Sequence, residues 1–176
     1  MIKLIIGAVI AVFVVIGGFL LLDPNVNKSS VNNTVEVADT ATYTIEGEVS
    51  KVGTYTLSDV VTMADLIAAA GGATSNADPL AYFEDATLTS GNTYFIAPQF
   101  DSTDICGTSP IAKVNVNADD AETLMKVNGI TSSIASSIVS YRTENGTFST
   151  LEDLLNVYGI GNATYRKIRS YIILHE

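Results

Sequence analysis

The chain has 176 residues, a net charge of −10 and a single cysteine. That length holds one or two small domains and excludes a large enzyme core. One cysteine excludes an intrachain disulfide framework, and the acidic balance excludes a protein basic over its whole surface.

Leu4 to Leu22 is an unbroken run of apolar residues and glycine with no charge. As a helix it spans about 28 Å, close to the hydrocarbon thickness of a bilayer. The run is longer than a signal-peptide core, and no small-x-small site precedes Asp23-Pro24, so it predicts an uncleaved anchor rather than a removed leader. Lys3 precedes it, which by the positive-inside bias puts the N-terminus in the cytoplasm and the rest outside. Asp23 to Ala41 is polar and without apolar period, a flexible stalk holding the next domain about 25 Å from the membrane.

Tyr43 to Val49 and Gly53 to Leu57 alternate as strands and predict a hairpin. Val61 to Ala70 has helical apolar spacing and stops at Gly71-Gly72. Thr93 to Ala97 is a short strand closed by Pro98. One helix on a small sheet predicts an α+β unit. Ile45-x-Gly47-x-Val49, Gly53-x-Tyr55-x-Leu57, Ala69-Ala70-Gly71-Gly72-Ala73-Thr74, Ala77-Asp78 and Tyr94-Phe95-Ile96-Ala97-Pro98 resemble the SLBB domain, a β-grasp module. The resemblance implies soluble-ligand binding or self-association; the residues also suit a compact spacer. Cys106, with no basic or histidine neighbour, reads as an inert thiol.

The C-terminal part repeats itself at a spacing of thirty residues. Leu124-Met-Lys-Val-Asn-Gly129-Ile-Thr131 is followed by Leu154-Leu-Asn-Val-Tyr-Gly159-Ile-Gly161. Each copy is an apolar helix, a tight Gly-Ile turn and a second amphipathic helix, and two copies bury each other's apolar faces. This is the pattern of a paired helix-hairpin-helix, whose helix-opening turns offer backbone N–H groups to phosphate. Asn117, with Asp120 as its N3 partner, is expected to cap a helix over Ala118–Val127. Thr131 or Ser132 caps one that stops at Asn145-Gly146. Ser149-x-x-Glu152 forms a capping box, and Asn162 caps a last helix reaching Leu174.

Anchor, SLBB-like domain and paired hairpins in this order resemble the competence protein ComEA family. The likeness is densest at Lys113-Val-Asn-Val-Asn117, Tyr141-Arg142-Thr-Glu-Asn-Gly146, Phe148, Leu151-Glu-Asp-Leu-Leu155-Asn-Val and Gly159-Ile-Gly161. It implies a non-enzymatic receptor, without a cofactor, that holds double-stranded DNA outside the cell irrespective of base sequence. Its further partners would be the membrane, a DNA import channel and other uptake proteins. Carried over residue by residue, Gly159, Ile160 and Gly161 form the second turn, and Asn162, Ala163 and Thr164 supply N–H groups. Arg166, Lys167 and Arg169 bring charge to the phosphates. In the first hairpin Gly129, Ile130, Thr131, Ser132 and Ser133 correspond. Thr131 replaces the family's second glycine; being β-branched it is poorly suited to positive φ, so this turn is expected to differ or carry strain.

The residues carry other readings too. Residues 23–112 have two basic and twelve acidic side chains, net −10, whereas 113–176 have six and seven, net −1. A near-neutral module is unusual for a DNA binder and suits hairpins that hold a protein partner, making the chain a surface assembly or ligand-binding protein. Catalysis has no constellation to support it. His175, next to the last residue, is expected to be solvated, and Asp119-Asp120 and Glu152-Asp153 read as helix-start charges. The expected architecture is α+β. It comprises a transmembrane helix at 1–22, a stalk at 23–41, an SLBB-like β-grasp domain at 42–100, a linker at 101–112 and an all-α tandem helix-hairpin-helix domain at 113–176.

Overall fold

The computed structural model describes residues 40–58, 60–101 and 110–176. The expected anchor, nearly all of the stalk, most of the linker and Cys106 lie outside them. Among the described residues no helix is long and apolar enough to cross a membrane.

β1 (Thr40–Gly47) and β2 (Gly53–Ser58) form the expected antiparallel hairpin, with Tyr43 opposite Tyr55 and Ile45 opposite Gly53. β1 starts within the segment expected to be stalk. Its alternation puts Tyr43 and Ile45 wholly inside, the period-two signature of a sheet with one covered face. β3 (Thr93–Ile96) pairs in parallel with the other side of β1, giving the order β2-β1-β3. α1 (Met63–Ala69) is opened by a reciprocal cap between Thr62 and Asp65 and buries Met63 and Leu66. Gly71 and Gly72 follow at φ +84° and +93°, a left-handed exit that glycine adopts without a Cβ penalty.

The C-terminal module contains α2 (Ala121–Leu124), α3 (Ser132–Asn145), a 3₁₀ turn at Leu151–Asn156 and α4 (Asn162–Ile168). Burial repeats faithfully at thirty residues: Leu124, Val127, Ile130, Ala135 and Ile138 are core, as are Leu154, Val157, Ile160, Tyr165 and Ile168. Several expected boundaries move. Asp120, not Asn117, caps α2, accepting from the Thr123 N–H at 2.8 Å. Asn117 is drawn elsewhere, accepting from Phe148 N–H and donating to the carbonyls of Phe148 and Leu174. The capping pair of the third segment is Thr150 with Asp153, one residue beyond Ser149 and Glu152. Gly161 occupies the N-cap expected for Asn162, and the last helix ends at Ile168, short of Leu174. A 3₁₀ turn then leads to β5 (Ile172–Ile173), which pairs in parallel with β4 (Val114–Asn115) and ties the two ends of the module together.

The two domains share a core instead of hanging on a spacer. Ala81 and Ala97 of the β domain belong to the apolar cluster of the helical module, with Phe83 and Phe95 packed against it. Lys113 and Asp78 form an almost buried ion pair at 2.7 Å across this junction. Leu174 N–H donates to the Leu80 carbonyl at 2.8 Å. His175 is half-buried, not simply solvated: its ring stacks on Phe83 and its Nε2 lies 3.1 Å from the Tyr82 carbonyl.

Candidate nucleic-acid interface

Both turns have the same construction. Gly129 and Gly159 take φ +119° and +92°, and the following isoleucines turn inward. Ile130 and Ile160 are therefore core plugs, and their N–H groups donate within the turn to the Val127 and Val157 carbonyls, both at 3.0 Å. Each turn packs against the opposite hairpin. A Cβ on Gly129 would meet Ile168 Cγ2 at 3.0 Å and Lys167 Cδ at 3.2 Å, and one on Gly159 would meet Ile134 Cγ1 at 3.4 Å. Lys167 Nζ donates to Asn128 Oδ1 at 3.0 Å, so a cation of α4 stands at the first turn.

The expected strain at Thr131 is absent. Thr131 has φ −82° and its counterpart Gly161 φ −95°. Positive φ belongs to the first glycine of each turn, so the third position admits a β-branched residue. What differs is capping. Thr131 Oγ1 accepts from Ile134 N–H, whereas Gly161 has no side chain to cap with. The N–H groups of Asn162, Ala163 and Thr164 thus stay open at the second turn, while only those of Ser132 and Ser133 do so at the first. Thr131, Ser132, Ser133, Gly161, Asn162 and Ala163 are all exposed, on matching edges of the two hairpins.

The cations divide into two groups. Lys113 pairs with Asp78, Arg142 donates to the Val116 carbonyl at 2.7 Å, and Arg169 pairs with Glu46 at 3.1 Å while lying 3.8 Å over the Phe95 ring. Arg169 is thus turned toward the β domain, away from the turn. Lys126, Arg166 and Lys167 are exposed and in no ion pair among the described residues.

The Helix-hairpin-helix motif family matches residues 109–173 and the SLBB domain family residues 42–82. ComE operon protein 1 of Bacillus subtilis (strain 168) is 31% identical over 154 residues, covering 82% of this chain and 75% of that protein. The chain belongs to the competence protein ComEA family. Shorter similarities reach an uncharacterized protein of Haemophilus influenzae, 44% identical over 62 residues, 35% of this chain and 55% of that one. The Endonuclease/exonuclease/phosphatase family domain-containing protein 1 of Bos taurus is 42% identical over 60 residues, 34% of this chain but 10% of that protein. That last likeness is to one module.

In this ComEA-family chain the structure adds residues that the motif did not mark. Tyr158, 86% exposed, stands on the second turn where the first has Asn128. A cleft of about 870 Å³ opens between the domains, lined among others by Glu46, Asp153, Asn162, Tyr165, Arg166 and Arg169. Glu152 sits at its base. It is buried, and its Oε1 accepts from Phe95 N–H at 2.8 Å and Tyr165 O–H at 2.6 Å. Only alignment of the two repeats hints at this: Glu122 and Glu152 correspond, and the first is exposed.

Burial raises the Glu152 carboxyl to about 7, against the hydrogen bonds from Tyr165 and Phe95 that hold it down. Its folded pKa lies above the unfolded one, so between pH 4.5 and 7 the folded chain keeps a proton that the unfolded chain releases. This group's stabilisation is fully present below pH 4.5 and falls by about 3 kcal/mol as pH rises through 7. Urea unfolding should show lower stability at pH 8 than at pH 5.5, and Glu152→Gln should remove most of the difference. An equal difference in the variant would refute this assignment.

Proposed function

We propose that this chain is a membrane-anchored extracellular receptor that binds double-stranded DNA through its phosphates, without sequence preference, for uptake in natural transformation. The observation that carries the reading is the pairing of two exposed hairpin edges, one with three uncapped helix-opening N–H groups, beside Arg166 and Lys167. Membership of the ComEA family supports it. The acidic β domain repels phosphate and leaves the hairpin edge as the attractive face. Anchoring rests on the apolar run Leu4–Leu22, and hand-over to an import channel rests on the family resemblance.

The three cations of the helical module that are in no ion pair among the described residues, Lys126, Arg166 and Lys167, set the expected size of the salt effect. Each neutralised phosphate contributes about −0.9 to the log–log slope, so duplex affinity should fall with a slope of roughly −2 to −3. Duplexes of unrelated sequence should bind alike. Replacing Arg166 and Lys167 together by alanine should flatten the slope by about two. Salt-independent affinity, strong preference for one duplex, or no binding would favour the reading in which the hairpins hold a protein partner.

A further inference from the structure

We propose that Glu152 is a positioning residue for duplex DNA, and that its protonation strengthens binding. The inference rests on the reading of the hairpins as a DNA site. Glu152 Oε1 gathers one donor from each domain: Phe95 N–H on β3 and Tyr165 O–H on α4. Tyr165 is flanked by Thr164 and Arg166, so the group that fixes α4 against the β domain is one residue from the proposed phosphate contacts. Glu152 Oε2 is buried without a hydrogen-bond partner. An ionised carboxylate with one oxygen unsatisfied is costly inside protein, and a proton relieves that cost.

The surrounding charges leave this carboxylate poorly compensated. From its own turn Asp153 adds negative charge. From β3, Tyr94 contributes a neutral phenol whose proton burial holds. From α4 and its end come Tyr165, Arg166 and Arg169; Arg169 is shared with Glu46 of β1. Arg166 lines the cleft and is the cation that phosphate would claim. Phosphate held at Arg166 would add negative charge to the cleft that Glu152 also lines, which favours the protonated acid. Linkage is reciprocal: if DNA raises proton affinity at Glu152, a proton there raises DNA affinity by the same factor. Protonation also lets the junction close without an unpaired charge, holding α4 in place.

The test uses the full chain in non-ionic detergent, one labelled duplex and constant ionic strength, from about pH 5.5 to 8.5. Wild-type affinity should be higher at the acid end, on the order of fivefold or more. Glu152→Gln, which keeps shape and an acceptor but cannot ionise, should hold a flat affinity near the acid wild-type value. Every other titrating group is common to the two chains and cancels. Tyr165→Phe removes one donor that holds the acid ionised, so its profile should shift toward higher pH, a movement that a purely structural Glu152 would not produce. A pH-independent wild type, an unchanged profile in Glu152→Gln, or an unshifted one in Tyr165→Phe overturns the proposal. Failure of every chain to bind at any pH overturns the DNA reading, and this one with it.

Discussion

Gly161→Val should leave the fold intact and lower duplex affinity by roughly ten- to a hundredfold, the loss of one or two hydrogen bonds to a charged group. The separation of the two effects comes from geometry. Gly161 has φ −95°, open to any residue, and an added Cβ meets nothing within 4 Å. The side chain would stand in solvent where the phosphate chain must approach, so circular dichroism and the thermal midpoint should hardly change. Gly129→Val is the contrasting case. Its φ is +119° and its Cβ would press on Ile168 and Lys167, so it should lose stability and binding together. Thr131→Gly should keep or improve affinity, because it uncaps Ile134 N–H at a stability cost of only a few tenths of a kcal/mol. If Gly161→Val binds normally, the second turn is not the principal phosphate site.

Gly47→Ala should come close to unfolding the chain, with a loss of about 4 kcal/mol or more against a typical total of about 5–15. Gly47 has φ +87°, and a Cβ there would collide with the Ile96 carbonyl oxygen and lie 2.9 Å from Phe95 Cε2. The obstacle is backbone within the β1–β3 ladder, which cannot rotate aside as a side chain would. Gly72→Ala is the matched control: φ is +93° but the space is open, leaving only the conformational penalty of about 1 kcal/mol. Urea titration of both should separate clash from conformation, and similar midpoints would show that the clash relaxes. Because β3 carries the N–H that holds Glu152, partial rescue of Gly47→Ala by osmolyte should restore duplex binding along with the fold.

Local pattern by itself determined the strands, the helix stop at Gly71-Gly72, the two hairpins and their turns. Apolar period, glycine and repeat spacing are short-range quantities, and the repeat predicts burial position by position. It did not determine which side chain caps which helix. Asn117 and Glu152 have the right type and spacing for caps, yet partners distant in sequence (Phe148, Leu174 and Phe95) compete for them and win because those sites are buried. Nor did it show where the charges go. Arg169 belongs to a cationic cluster along the chain, but the tertiary structure turns it onto Glu46 and Phe95 of another domain. The strain expected at Thr131 failed for the same kind of reason: position in a motif does not reveal φ, and the backbone put its left-handed residue two places earlier. The shared core, the parallel pair of β4 and β5 and the half-satisfied carboxylate of Glu152 exist only after distant segments meet. Pairing, desolvation and competition for a donor are properties of that meeting, which is why only the tertiary structure decided them.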